Sequence, residues 1–273
     1  MRKGGLVGEL SAEFAGTMIL ILFGVGVVAQ VVTTVDGASG AYDSIAWAWG
    51  IGVTLGVYTA ARLSGAHLNP AVTVALAAFK GFSWAKVGPY ALAQTLGAFV
   101  AAIIVRFVYA DQITAVDPDL TSATQGIFST LPGATADGGT VSITTAFADQ
   151  VVGTAILVFV IFALTTAWNN PPLANIGPLM VGLLVVALGF AWGSNAGYAI
   201  NPARDFGPRL ASWLTGYDTA WVTPDGTPYW WLPIVAPIIG GLVGGAAFKF
   251  LIEIHLTAPD DEPAAVGEAR PNA

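Results

Sequence analysis

Two short stretches carry residue types that an apolar chain has little packing reason to contain. One reads Ser64-Gly65-Ala66-His67-Leu68-Asn69-Pro70-Ala71-Val72-Thr73; the other reads Tyr198-Ala199-Ile200-Asn201-Pro202-Ala203-Arg204. Both contain Asn-Pro-Ala, 132 residues apart. Their chemistry would be recognition of a passing solute. Asparagine is a favoured helix N-cap and proline a favoured first helical residue, because its missing N–H had no intrahelical partner. Each stretch therefore predicts a helix that begins at its asparagine, and each N-terminus carries the equivalent of about half a positive charge. The amides of Asn69 and Asn201 would offer N–H donors to a solute oxygen. The small residues Ala71 and Ala203 would let the two ends touch. Arg204 would add a fork of donors; the alternative for it is a snorkelling side chain that reaches the headgroups.

The rest of the chain says where these helices must lie. Of 273 residues, 55% are hydrophobic and 10% charged, against about 25% charged in an average soluble domain. Residues 14–35, 44–61, 87–105, 150–203 and 226–248 contain no Asp, Glu, Lys or Arg. A helix that crosses the hydrocarbon core needs about 20 such residues. We read six spans, 9–32, 42–61, 86–109, 145–167, 177–196 and 230–253. The segments 69–79 and 201–212 are too short to cross and are read as half-helices. Irregular backbone at membrane depth is tolerated only where protein covers it or a water-filled cavity solvates it. Both half-helices should therefore line a cavity.

Glu13-Phe-Ala-Gly-Thr17 echoes Gln150-Val-Val-Gly-Thr154 at an offset of 137. Each half then holds three crossings and one Asn-Pro-Ala, and an odd number of crossings inverts the second half. The expected fold class is an all-α membrane protein: six transmembrane helices plus two re-entrant half-helices in an inverted 3+3 repeat. The divisions are 1–109 (first repeat), 110–144 (outer loop), 145–255 (second repeat) and 256–273 (an acidic, disordered tail with Asp260-Asp261-Glu262). In inverted repeats the functional site lies near the midplane where the repeats meet. Arg2, Lys3, Arg62, Lys80, Lys86 and Lys249 fall on one side of six crossings, which the positive-inside rule makes cytoplasmic, with both termini. Residues 110–144 contain Asp111, Asp117, Asp119 and Asp137 but no Lys or Arg. Arg106 and Arg209 count against this orientation. The Met1-Arg2-Lys3 start is read as leading into an uncleaved span rather than a signal peptide.

Set in six spans, SGAHLNPAVT with a second NPARDFGPR resembles the major intrinsic protein family of aquaporins, over roughly residues 5–255. The resemblance implies a constriction built from Trp49, Gly189, Tyr198 and Arg204. Trp49 taken alone could instead be an interface anchor. Water-selective members typically carry histidine where Gly189 stands, so the glycine is read as leaving room for a polyol. Its carbons would slide on the aromatic faces of Trp49 and Tyr198 while its hydroxyls pair with the guanidinium opposite. Asp205 after Arg204 also resembles the glycerol-conducting branch, whose bacterial members usually have Phe at Tyr198. The backbone carbonyls of Gly65, Ala66, His67 and Leu68, with those of Ala196, Gly197, Tyr198 and Ala199, are read as ladders of acceptors. Glu13 is either an interfacial residue or a structural acceptor for loop N–H groups near an Asn-Pro-Ala turn. The family usually has Glu in both halves, whereas here the second is Gln150, with Asp149 beside it.

The expected function is a passive channel for glycerol, water and similar small uncharged solutes that excludes protons and ions; the alternative is a water-selective aquaporin. An ion-coupled transporter would need an intramembrane acid pair, which is missing. An enzyme would need a Ser/His, Asp/Asp or zinc constellation, and His67 has no partner at useful spacing. A scaffold with a closed pore would not need Arg204 and both asparagines. No metal, cofactor or nucleic acid is implied, and there is no cysteine. The expected partners are the lipid bilayer of the plasma membrane and, from the resemblance, three further copies in a homotetramer. Gly97, Ala101, Gly240 and Gly244, spaced by four, are read as close-packing faces rather than hinges.

Overall fold

The computed structural model describes residues 4–34 and 39–256. Arg2, Lys3 and the acidic tail beyond Leu256 lie outside the described residues. The chain forms α1 (Gly5–Thr33), α2 (Tyr42–Ser64), α3 (Pro70–Phe79), α4 (Trp84–Val108), α5 (Ala110–Val116), α6 (Ser122–Gln125), α7 (Ile143–Thr165), α8 (Gly177–Trp192), α9 (Pro202–Leu214) and α10 (Leu232–Leu251). Helices α1, α2, α4 and α7, and α10 with the 3₁₀ turn that follows it, are long and apolar enough to cross a membrane. The two predicted half-helices are α3 and α9, within two residues of the expected ends.

The structure refines two expectations. The apolar pattern predicts a fifth span over 177–196, but α8 stops at Trp192 after 16 residues. That is about 24 Å at 1.5 Å per residue, four residues fewer at its end than the apolar pattern suggests. The chain leaves the helix at Gly193, where a Cβ would collide with the Tyr42 hydroxyl, and turns toward the second Asn-Pro-Ala. The sequence reads 110–144 as an outer loop, and this segment contains two short helices, α5 and α6. Asp117 organises it: Oδ2 accepts from the backbone N–H of Thr121 at 2.8 Å and from the Thr124 hydroxyl at 2.8 Å. Ile113, Ile127 and Phe128 are fully buried, so the loop folds back into the bundle.

Helix α1 packs between α2 and α4, α7 packs on α10, and α8 packs on α2. The half-helices cross over: α9 lies on α4 and α3 on α10, so each packs on the last span of the other half. Small residues permit these approaches. A Cβ at Gly97 would overlap the Phe14 carbonyl oxygen, one at Gly240 that of Val151, and one at Gly244 that of Ala155. Phe14 and Val151 are themselves 137 apart, so the first two contacts repeat.

Of the charges predicted to be cytoplasmic, Lys80 and Lys86 lie at one end of the bundle. Lys86 pairs with Glu9 at 2.8 Å. Lys80, at the end of α3, pairs with Glu253 after α10 and donates to the Thr166 hydroxyl after α7 at 3.0 Å. Arg209 lies at the other end, where it is fully buried.

Gly244→Leu should force α10 away from α7. Overpacking of this kind costs about 1–3 kcal/mol, so the thermal unfolding midpoint of the purified protein should fall. Val243→Leu, at a half-exposed neighbour, should leave the midpoint unchanged. Equal behaviour of the two variants would contradict the close α7–α10 contact.

Candidate functional site

The site grows from two strained turns. Ahead of α3 the backbone passes through left-handed conformations at Gly65, Ala66 and Leu68, with φ of 87°, 51° and 51°. Ahead of α9 it does so at Gly197, Tyr198 and Ile200, with φ of 69°, 33° and 42°. The two sets are 132 residues apart, position by position. A non-glycine residue held there costs about 1–3 kcal/mol.

Each turn ends in a capped helix. Asn69 Oδ1 accepts from the Ala71 N–H at 2.8 Å. Asn201 Oδ1 accepts from the N–H groups of Ala203 and Arg204 at 3.1 and 3.2 Å. The amide ends reach across the junction: Asn69 Nδ2 donates to the Ile200 carbonyl, and Asn201 Nδ2 to the Leu68 carbonyl, both at 2.8 Å. This refines the expected donor role. Each amide has two N–H bonds, and one is spent on joining the halves.

The acceptor ladders change as well. The Leu68 carbonyl is taken by Asn201, and that of Ala196 faces Gln150 Nε2 at 3.5 Å. Neither Ala196 nor Gly197 has a part in the cavity wall. Among the described residues, the carbonyls of Gly65, Ala66, His67, Gly197, Tyr198 and Ala199 accept no hydrogen bond. By the 132 offset, the true counterpart of Leu68 is Ile200.

Glu13 is fully buried beneath the first turn and is an acceptor, not an interfacial residue. Oε1 takes the Ser64 hydroxyl at 2.6 Å and the His67 N–H at 2.9 Å. Oε2 takes the Leu68 N–H and Gln94 Nε2, both at 2.7 Å. His67 meets the Thr73 hydroxyl at 3.1 Å through Nδ1 and packs against Phe82 and Tyr90. Beneath the second turn, Gln150 Oε1 takes the Ile200 N–H at 2.8 Å.

A cavity of about 500 Å³ runs beside both turns. Its wall includes the aliphatic side chains of Val53, Val57, Val72, Leu157 and Ile161, and it contains Asn69 and Asn201. It extends from Asn175 and Gly177 at the start of α8 to Trp49, Tyr198 and Arg204. There the guanidinium carbon of Arg204 stands 4.0 Å from the Trp49 ring centre. The two are in cation–π contact rather than opposite one another across open space. Arg204 Nη1 also reaches the Phe128 carbonyl at 3.5 Å. The Tyr198 hydroxyl is buried without a hydrogen-bond partner among the described residues.

Gly189 is not among the residues that line this cavity, so any room that it leaves is made through its neighbour. A Cβ there would meet the Ala46 Cβ at 3.0 Å and the Tyr198 ring at 3.2 Å. The space is filled by the tyrosine, which the glycine lets lie back against α8. The Gly189 carbonyl accepts from the Tyr42 hydroxyl at 3.0 Å.

Arg209, which closes the NPARDFGPR stretch, and Thr130, which lies in no motif, join Asp205 in holding the surroundings of Arg204. Asp205 Oδ1 accepts from Arg209 Nε at 2.8 Å, and both side chains are buried. Asp205 Oδ2 takes the Thr130 N–H at 2.8 Å and its hydroxyl at 2.7 Å, while Arg209 Nη2 donates to the Thr130 carbonyl at 2.7 Å. The pair thereby clamps the 110–144 loop, and with it the Phe128 carbonyl, onto α9. Its i,i+4 spacing is legible in the sequence; the loop it grips is not.

Comparison with known proteins adds independent information. Residues 1–248 match the family described as Major intrinsic protein. A glycerol uptake facilitator protein of Pseudomonas aeruginosa is 41% identical, over 97% of this chain and 95% of its own. Aquaglyceroporin-2 of Rhizophagus irregularis is 42% identical, over 89% of this chain and 77% of its own. The X-ray structure of the aquaglyceroporin from Plasmodium falciparum superposes with a TM-score of 0.81 at 31% identity, covering 92% of this chain and 98% of that one.

Arg209→Leu strips the buried Asp205 of its counter-charge. Breaking a buried pair by removing one partner costs about 3–5 kcal/mol. The variant should unfold at a markedly lower temperature than the parent; an unchanged midpoint would show that the clamp contributes nothing to stability.

Proposed function

The chain belongs to the major intrinsic protein family, and from that membership we propose that it is a passive transmembrane channel for glycerol and similar small uncharged solutes, with water as co-permeant. The observation that carries this reading is the joining of two helix N-termini in the wall of a largely apolar cavity that ends at Trp49, Tyr198 and Arg204.

A polyol has an apolar edge and a hydroxylated edge. In this reading its carbons slide along Trp49 and Tyr198. Its hydroxyls exchange water for the guanidinium, the unpaired carbonyls of the two turns and the remaining amide N–H of Asn69 and Asn201. The donors and acceptors are fixed in advance, so a neutral solute trades hydrogen bonds at little reorganisation cost. Two helix N-termini, each about half a positive charge, together with Arg204 raise a barrier to cations, the hydrated proton included. An anion would still lose its hydration against aliphatic walls, a cost that small ions do not recover without full coordination.

The same reading includes the wider organisation. The halves 1–109 and 145–255 act as inverted repeats about the joined asparagines. The protein sits in the plasma membrane with both termini in the cytoplasm, a placement supported by Lys80 and Lys86 at one end of the bundle. It assembles as a homotetramer with one pore per subunit, as the family resemblance implies. It performs no catalysis.

Stopped-flow light scattering on proteoliposomes tests the proposal. The parent should admit glycerol and water faster than empty vesicles. Gly189→His drives a side chain into the Tyr198 ring and pushes that ring toward the solute path. Glycerol permeability should fall at least about tenfold, the factor that corresponds to roughly 1.4 kcal/mol on a barrier. Fast water without glycerol entry in the parent would make this a water-selective pore.

A further inference from the structure

The two turns have the same backbone shape but different supports. Glu13 offers two oxygens that only accept, and they take the N–H groups of both His67 and Leu68. At the equivalent place, 137 residues on, Gln150 has one acceptor and one donor end. Its Oε1 takes the Ile200 N–H. The Ala199 N–H, which stands where that of His67 stands, has no partner among the described residues. A glutamine reversed end for end would present its N–H₂ to the Ile200 N–H, donor against donor, and release the turn.

We propose that Asp149 is the positioning residue of this second turn, holding the Gln150 amide the one way round that lets it bind Ile200. Asp149 is buried, and its Oδ2 accepts from Gln150 Nε2 at 3.0 Å. A carboxylate cannot donate, so it admits only the amino end of the amide and turns the carbonyl end to Ile200. Its other oxygen, Oδ1, accepts from Asn195 Nδ2 at 3.0 Å. Asn195 begins the same turn, and its carbonyl takes the Gly133 N–H of the outer loop at 2.9 Å. One carboxylate thus fixes the turn at both ends. The Ile200 carbonyl receives Asn69 Nδ2, so the effect reaches the junction between the halves. The charge that the first half carries on Glu13 is carried in the second half by the preceding residue and acts through a relay.

The proposal rests on the turn belonging to a solute path only for its transport readout. The experiment uses the full chain with Asp149→Asn and with the double variant Asp149→Asn, Gln150→Glu. An asparagine side chain has one acceptor for two donors, Gln150 and Asn195. In the double variant the carboxylate introduced by Gln150→Glu accepts at both ends, as Glu13 does, and needs no orienter. The amide introduced by Asp149→Asn donates to that carboxylate and accepts from Asn195. Two quantities are read: backbone hydrogen exchange in peptides covering 196–201, and glycerol permeability of proteoliposomes. For Asp149→Asn, exchange should rise and permeability fall at least about tenfold, as for loss of a hydrogen bond to a charged group. The double variant should return both to within about twofold of the parent, as expected when the lost hydrogen bonds are replaced in kind. A single variant that behaves as the parent overturns the proposal, and so does a double variant as impaired as the single. Should Asp149→Asn fail to assemble, assembly of the double variant supports the relay and its failure overturns it. A parent that passes no glycerol would sink the channel reading, while the exchange measurement would still decide the role of Asp149.

Discussion

Everything in this molecule is arranged around two hydrogen bonds, from Asn69 Nδ2 to the Ile200 carbonyl and from Asn201 Nδ2 to the Leu68 carbonyl. They are reciprocal, and they hold two helix N-termini together in the middle of the bundle. Like ends of two dipoles repel, so the junction needs a bond on each side. Each asparagine does two tasks at once: its oxygen caps its own helix and its nitrogen ties the opposite turn. An aspartate could cap equally well but has no N–H to donate across. A serine could cap, but it is too short to do both.

The junction imposes strain on the turns that feed it. Ala66, Leu68, Tyr198 and Ile200 all hold left-handed backbone, at about 1–3 kcal/mol each. Such conformations persist only where surrounding groups over-determine them. The first turn is held by one carboxylate with four donors, and the second by an amide working with its neighbouring carboxylate. The strain serves the reading of the cavity as a conduit. These irregular turns enter no helical ladder, and carbonyls along the wall, such as those of Ala66, His67, Tyr198 and Ala199, accept no hydrogen bond among the described residues.

The end of the cavity at Trp49, Tyr198 and Arg204 is built by a different principle. Arg204 is desolvated, stacked on Trp49 and steadied by a carbonyl from a loop distant in sequence. That loop is held by the buried Asp205–Arg209 pair. An exposed ion pair would be worth little, but a buried one that must stay paired is costly to break. Here it gives the loop one position on α9. Gly189 contributes by absence: it lets the Tyr198 ring lie back against α8.

Local signals in the chain suffice for the membrane class, the six apolar segments, the two half-helices and the internal repeat. These rest on charge-free runs, capping chemistry and length. Local signals also mark Asn69, Asn201, Arg204 and Glu13 as residues that an apolar chain would not carry without purpose. Relations between distant parts lie beyond them. Whether the asparagine amides face a solute or the opposite turn depends on how closely the halves meet. Whether Gly189 opens the lumen or receives a ring depends on the rotamer of Tyr198. The 110–144 segment reads as a loop because its short helices lack the periodic length that declares a helix, and its buried residues find their cover only in the folded bundle. Asp149 is visible beside Gln150, but its role follows from which end of an amide faces it. Hydrogen-bond direction between residues far apart in the chain is set by tertiary contact, and no local pattern encodes it.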